Sequence, residues 1–194
     1  MRRTLTTVLT TATLVASAGA GVVASAQAAS APVEPYASYQ PQTVCAPRAK
    51  PGTVALGHWI VRTYGGGFGS ISRSCAGGSV SEHKEGRAFD WTLDARRAAD
   101  RARAARLLHD LFATGPSGEP AELGRRMGVM YVIWNDHMYA AYDRFVVKPY
   151  RSSSCPRLAT CSPTLRHRDH LHISLTRAGG LGRTTWYAAH LPTA

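Results

Sequence analysis

"SEHKEGRAFDW", residues 81–91, is the stretch on which the fold turns. His83 and Asp90 stand seven positions apart, with Gly86 between them. A helix would bring residues seven apart to one face, but Gly86 interrupts the segment and Gly77-Gly78 makes a poor start for a helix. A single strand would put the two on opposite faces, because its side chains alternate with period two. A turn at Gly86 resolves the conflict: His83 on a loop folds back beside Asp90 on a strand over residues 87–93. Ala88, Asp90 and Thr92 then share one face of that strand.

A second cluster lies far along the chain. The run "HRDHLHISL", 167–175, holds three of the chain's eight histidines within six residues. Read as a strand over 170–175, it points His170 and His172 to one face and Leu171 to the other. Two imidazoles side by side are costly in a core unless something holds them. A divalent metal does so, and a carboxylate often completes its ligand set. His83, Asp90 and one histidine of "HLH" therefore make a candidate three-ligand site, with a fourth position open to water as in a catalytic zinc centre. His58, His109, His137 and His190 stand alone and read as surface or core residues.

The elements around these motifs are mixed. Helices are expected over 53–64, over 95–113 with Asp94 as N-cap, and over 121–127. In the second of these, Ala98, Ala102, Ala105, Leu108 and Phe112 follow helical spacing. Strands are expected over 70–74, 87–93, 128–134 and 170–175. Without regular β-α alternation, the fold class is α+β: a small antiparallel sheet with flanking helices, disulfide-stapled loops and a metal site on the sheet face.

Export is the expected fate. Met1-Arg2-Arg3 is a basic n-region, Thr7 to Val23 carries no charge, and Ala26-Gln27-Ala28 has the form of a signal-peptidase site. Residues 1–28 thus read as a signal peptide, 29–44 as a Pro/Ala/Ser-rich flexible linker, and 45–194 as one domain. Nothing else reaches the ~20 apolar residues needed to cross a bilayer, so a secreted, monomeric chain is expected. Four cysteines in an oxidising compartment allow three pairings. Cys45–Cys75 and Cys155–Cys161 are preferred because each closes a local loop. The formal charge of +11 falls to +9 without Arg2 and Arg3, and 20 of the 23 basic residues are Arg. For a secreted chain that favours anionic cell-wall polymers over nucleic acid.

At this point the motifs resemble a family. "SEHKEGRAFD" matches Ser-x-His-x-x-Gly-x-Ala-x-Asp of the zinc D-alanyl-D-alanine carboxypeptidases, and "DHLH" matches their His-x-His element. The superfamily also includes the penicillin-insensitive murein endopeptidases and the hedgehog signalling domain, and the likeness extends to poorly characterised secreted actinobacterial and fungal proteins. The resemblance implies His83, Asp90 and His172 as ligands of Zn2+, with His170 beside them. It places Arg73 on the substrate carbonyl or carboxylate and Ser81 against substrate or Asp90. The carboxypeptidases carry a base glutamate three residues before the third ligand, where this chain has Asp169. Asp169 and His167 are the two candidate bases, and a bland pairing of Asp169 with Arg166 or Arg168 is the competing reading. Trp134 and Asn135 are candidates for lining the cleft. The implied activity is zinc-dependent hydrolysis of peptidoglycan peptide bonds; the alternative is a metal-containing, non-catalytic module that binds wall or extracellular ligands.

Overall fold

A computed structural model describes residues 31–191. Its centre is β6 (His170–Leu175), paired antiparallel with β2 (Ala88–Thr92) on one side and β3 (Val129–Trp134) on the other. The sheet continues through β1 (Gly67–Phe68) at one edge and through β4 (His137–Ala140) and β5 (Val147–Pro149) at the other, in the order β1-β2-β6-β3-β4-β5. Every neighbouring pair is antiparallel. Four helices accompany it: α1 (Pro51–Tyr64), α2 (Ala98–Phe112), α3 (Glu122–Arg126) and α4 (Arg177–Gly180). The α+β class with an antiparallel sheet is as the sequence predicts.

Period-two alternation divides the sheet into two faces. Phe89, Trp91, Leu171, Ile173 and Leu175 bury on the helix side with Leu56 and Ile60 of α1 and Leu107 and Leu111 of α2. Each such side chain contributes roughly 1.5–3 kcal/mol of burial, which fixes which face of β2 and β6 points inward. Asp90, His170, His172 and Ser174 are thereby forced to the other face. The register Asp90↔His172 and Thr92↔His170 sets them side by side.

The expected helices form, with shifts. In α2 the buried positions are Asp100, Ala104, Leu107 and Leu111, one step out of phase with the expected stripe. Alanines bury little surface, so Leu107 and Leu111 decide the rotation, while Leu108 and Phe112 pack at its flank. Asp94 does not cap α2. It accepts from the backbone N–H of Arg96 at 2.9 Å, and the helix begins after Arg97. Residues 70–74 form no strand, although the Ser70 carbonyl accepts the Asp90 N–H at 2.8 Å. The sequence reading overlooked β1, β4 and β5. Strands β3 and β4 join through Asn135 and Asp136 at φ 48° and 66°, the positive pair of a tight hairpin turn.

Two disulfides, Cys45–Cys75 and Cys155–Cys161, form as expected. The signal-peptide assignment lies outside the described residues. No helix among the described residues is long and apolar enough to cross a membrane. The segment expected as a flexible linker is extended but tied down from Ala31 onward. Arg126 donates to the Ala31 carbonyl at 2.9 Å, and Thr185 holds the Glu34 carboxylate. The Arg87 guanidinium, 2 % exposed, reaches the Gln40 carbonyl at 2.5 Å and Glu85 at 2.6 Å. A buried guanidinium needs acceptors on all sides, and the strap supplies one of them.

Candidate metal centre

His83 ends up where the turn reading put it. A single 3-10 turn, Glu82–Glu85, closes on Gly86 at φ 66°. That conformation favours glycine, and a Cβ there would lie 2.0 Å from the Arg48 carbonyl oxygen. The chain then enters β2, bringing His83 Nε2 to 3.1 Å from Asp90 Oδ1 and 3.2 Å from His172 Nδ1. His172 Nδ1 completes the triangle at 3.0 Å from Asp90 Oδ1. His83, Asp90 and His172 are the group able to hold a metal among the described residues.

The donor chemistry fits a cation. Tetrahedral ligands at 2.0–2.1 Å from one ion stand roughly 3.3 Å apart, close to the separations seen here. The His83 Nδ1–H donates to the Ile71 carbonyl at 2.9 Å, which leaves the Nε2 lone pair facing inward. His172 Nε2 meets the Ser174 hydroxyl at 2.9 Å, so its Nδ1 faces the other donors. Burial raises the Asp90 carboxyl pKa, but the close contacts with His172 and His83 outweigh it and hold the group well below the usual carboxylate range. Burial in turn depresses the pKa of His172, against the pull of Asp90. An ionised carboxylate beside neutral imidazole is the protonation state a metal requires.

Behind the triangle runs a buried network that sequence reasoning missed. Tyr131 donates to Glu82 Oε2 at 2.5 Å, and Ser174 reaches the same oxygen at 3.4 Å. Glu82, 3 % exposed, thus stands two hydrogen bonds behind His172. Its place between Ser81 and His83 was the available signal. Such outer partners orient the ligands of metal sites.

The other expected residues separate. His170 lies beside the triangle, its Nε2 3.6 Å from Asp90 Oδ1 and its Nδ1 2.7 Å from Asp169. Asp169 spends its second oxygen on the Thr164 hydroxyl at 2.5 Å, so it reaches the centre through His170. It does not pair with Arg166, which makes a two-pronged bond to Asp136 at 2.9 and 2.7 Å. His167 packs against His170 and His172 with ring centroids 4.8 and 5.6 Å away. Burial and then the charges of His172 and His170 push its pKa down to about 2, which makes it a poor proton acceptor. Arg73 is exposed, and its charge also bears on His167. Ser81 is buried at the start of the turn, its N–H donating to Gln42. Trp134, 6 % exposed, belongs to the helix-side core, and Asn135 sits in the hairpin turn with its N–H on the His167 carbonyl. Alternation places Trp134 on the face opposite the triangle, which removes it from the cleft.

The family model described as VldE, C-terminal domain, matches residues 45–155, more than half of the chain. The chain belongs to that family. The match starts at Cys45 and takes in His83, Asp90 and the Glu82 turn, and it ends before β6 and His172. No curated protein and no solved structure gives a match.

Proposed function

We propose that this VldE C-terminal domain chain is a secreted, zinc-dependent hydrolase of peptide bonds in the bacterial cell wall. The observation that carries the reading is the His83–Asp90–His172 triangle with His170 poised at its open side. The likeness of both motifs to the zinc carboxypeptidases supplies the substrate class and the metal. Two disulfides fit an extracellular setting. When bound, zinc supplies a Lewis acid that polarises a carbonyl and makes water more acidic.

The chain's own residues divide the remaining work. Asp169 accepts the Nδ1–H of His170 and fixes its tautomer, so the His170 Nε2 lone pair faces the triangle. His170 Nε2 takes the proton of the attacking water and returns it to the amine that leaves. The expected role of Asp169 as direct base passes to His170, with Asp169 as its positioning residue. Arg73, exposed and tied by its backbone N–H to the His83 carbonyl at 3.3 Å, steadies the oxyanion that develops on the scissile carbonyl.

A second reading has one observation behind it. Both oxygens of Asp169 are already engaged, at 2.7 and 2.5 Å, which suits a module that binds wall polymer and leaves it intact. Digestion of purified peptidoglycan by zinc-loaded protein separates the two. New amino termini should appear with wild type and fall at least a hundredfold with His170→Ala, and about tenfold with Asp169→Asn. Binding without new amino termini would establish the second reading.

A further inference from the structure

The largest cavity among the pockets described, about 790 Å³, opens where the metal face ends. Thr92 and Asp169 line it. Thr92 lies two residues along β2 from Asp90, about 7 Å by the rise of an extended strand. A chain of contacts links the cavity to the triangle: Asp169 on its wall holds His170, whose Nε2 lies 3.6 Å from Asp90.

Its walls are rich in arginine, and the arginines are unequally committed. Arg96 is bound in two-pronged fashion by Asp94, Arg103 by Asp100 at 2.6 Å, and Arg166 by Asp136. Arg97 reaches Asp94 only at 4.0 Å. Arg168 has no carboxylate within ion-pair distance among the described residues, although its neighbour Arg166 donates two bonds to Asp136. Two guanidiniums with unspent donors thus share one concave wall with three that are already paired to carboxylates. Guanidinium forks match planar or tetrahedral oxyanions, and several forks on one concave wall can meet the same anion. A volume near 790 Å³ is in the range of small-ligand sites.

We propose that this cavity is an oxyanion-binding subsite in which Arg168 and Arg97 grip a carboxylate or phosphoryl group of an extended ligand lying across the metal face. It rests on the metal-centre reading for its use in catalysis, but the binding itself requires only the arginines.

The test is direct binding to the full mature chain, by calorimetry, with inorganic phosphate in one arm and glutarate in the other. Saturable binding is expected in at least one arm, and the stronger arm assigns the ligand as phosphoryl or carboxylate. It should weaken at least fivefold in Arg168→Gln and further in Arg97→Gln/Arg168→Gln. Binding should be unchanged in Arg62→Gln, a control on exposed α1 surface, with thermal melts showing that all variants fold. It should also survive His172→Ala, which abolishes the metal site; loss there with retention in Arg168→Gln would assign the anion to the metal and overturn the proposal. Equal weakening by Arg62→Gln, or no saturable binding in either arm, would overturn it too. Loss of wall cleavage with anion binding intact would instead count against the hydrolase reading.

Discussion

Ser174 hydrogen-bonds His172 Nε2 at 2.9 Å and is itself fully buried, so its hydroxyl holds the ring that must present Nδ1 inward. Ser174→Ala should lower zinc affinity by about 10- to 100-fold, the usual loss when the partner of a ligand is removed, while leaving the fold intact. Competition with a chromogenic chelator measures it; an unchanged affinity would show that His172 is oriented by packing alone. At this scale the sequence was most legible. His83 and Asp90 could be paired because Gly86 spoke against a continuous helix and the odd spacing against a single strand, whereas the choice of His172 over His170 came from the family resemblance. Glu82, Tyr131 and Ser174 were not legible, because a hydrogen-bond chain between one turn and two non-adjacent strands leaves no spacing to read. Asp169 illustrates the same limit: its position in the motif was clear, and its engagement by Thr164 was not.

Two turns position these strands, and each can be tested. Gly86→Ala adds a Cβ 2.0 Å from the Arg48 carbonyl oxygen at φ 66°. It should cost at least about 1–3 kcal/mol in denaturant unfolding and displace His83. In the β3–β4 hairpin, the Arg166 guanidinium beside Asp136 outweighs burial and holds that carboxyl below its usual pKa. A depressed carboxylate stabilises the fold above its ordinary value near 3.9 and loses that contribution as pH falls through the folded value. Asp136→Asn keeps a residue tolerant of positive φ, so it should be less stable than wild type at pH 7, with the gap shrinking as pH falls below about 3.9. A gap that does not change with pH would place the effect elsewhere. Long elements with heavy apolar side chains, α1, β2, β3 and β6, could be read from the sequence. The short β1, β4 and β5 could not, since two to four residues carry too little periodicity and their pairing is decided by the hairpin. The rotation of α2 was misjudged because alanines mark a stripe without supplying the area that orients it.

For the whole chain, cross-links and the strap decide how the domain is held. Cys45–Cys75 spans a sequence separation of 30 and joins the strap's end to the loop before the site, whereas Cys155–Cys161 spans 6. Loop-closure entropy gives about 3.7 kcal/mol for the first and about 2.4 for the second. Replacing each pair by serines should therefore lower the melting temperature more for 45/75 than for 155/161, and the reverse order would locate the rigidity in the loop before β6. The order of expected helices and strands placed this architecture correctly as α+β, but composition misread residues 31–44. Their Pro, Ala and Ser content signals a tether, while their order comes from acceptors supplied to Arg87, Arg126 and Arg177, partners that only the folded chain brings near. Zinc content by elemental analysis of mature protein purified without chelator, beside His172→Ala, decides whether the triangle is a metal centre. About one zinc per chain is expected in the wild type and none in the variant. A folded wild-type protein without metal, or a variant that retains it, would contradict the assignment of His83, Asp90 and His172 as the centre.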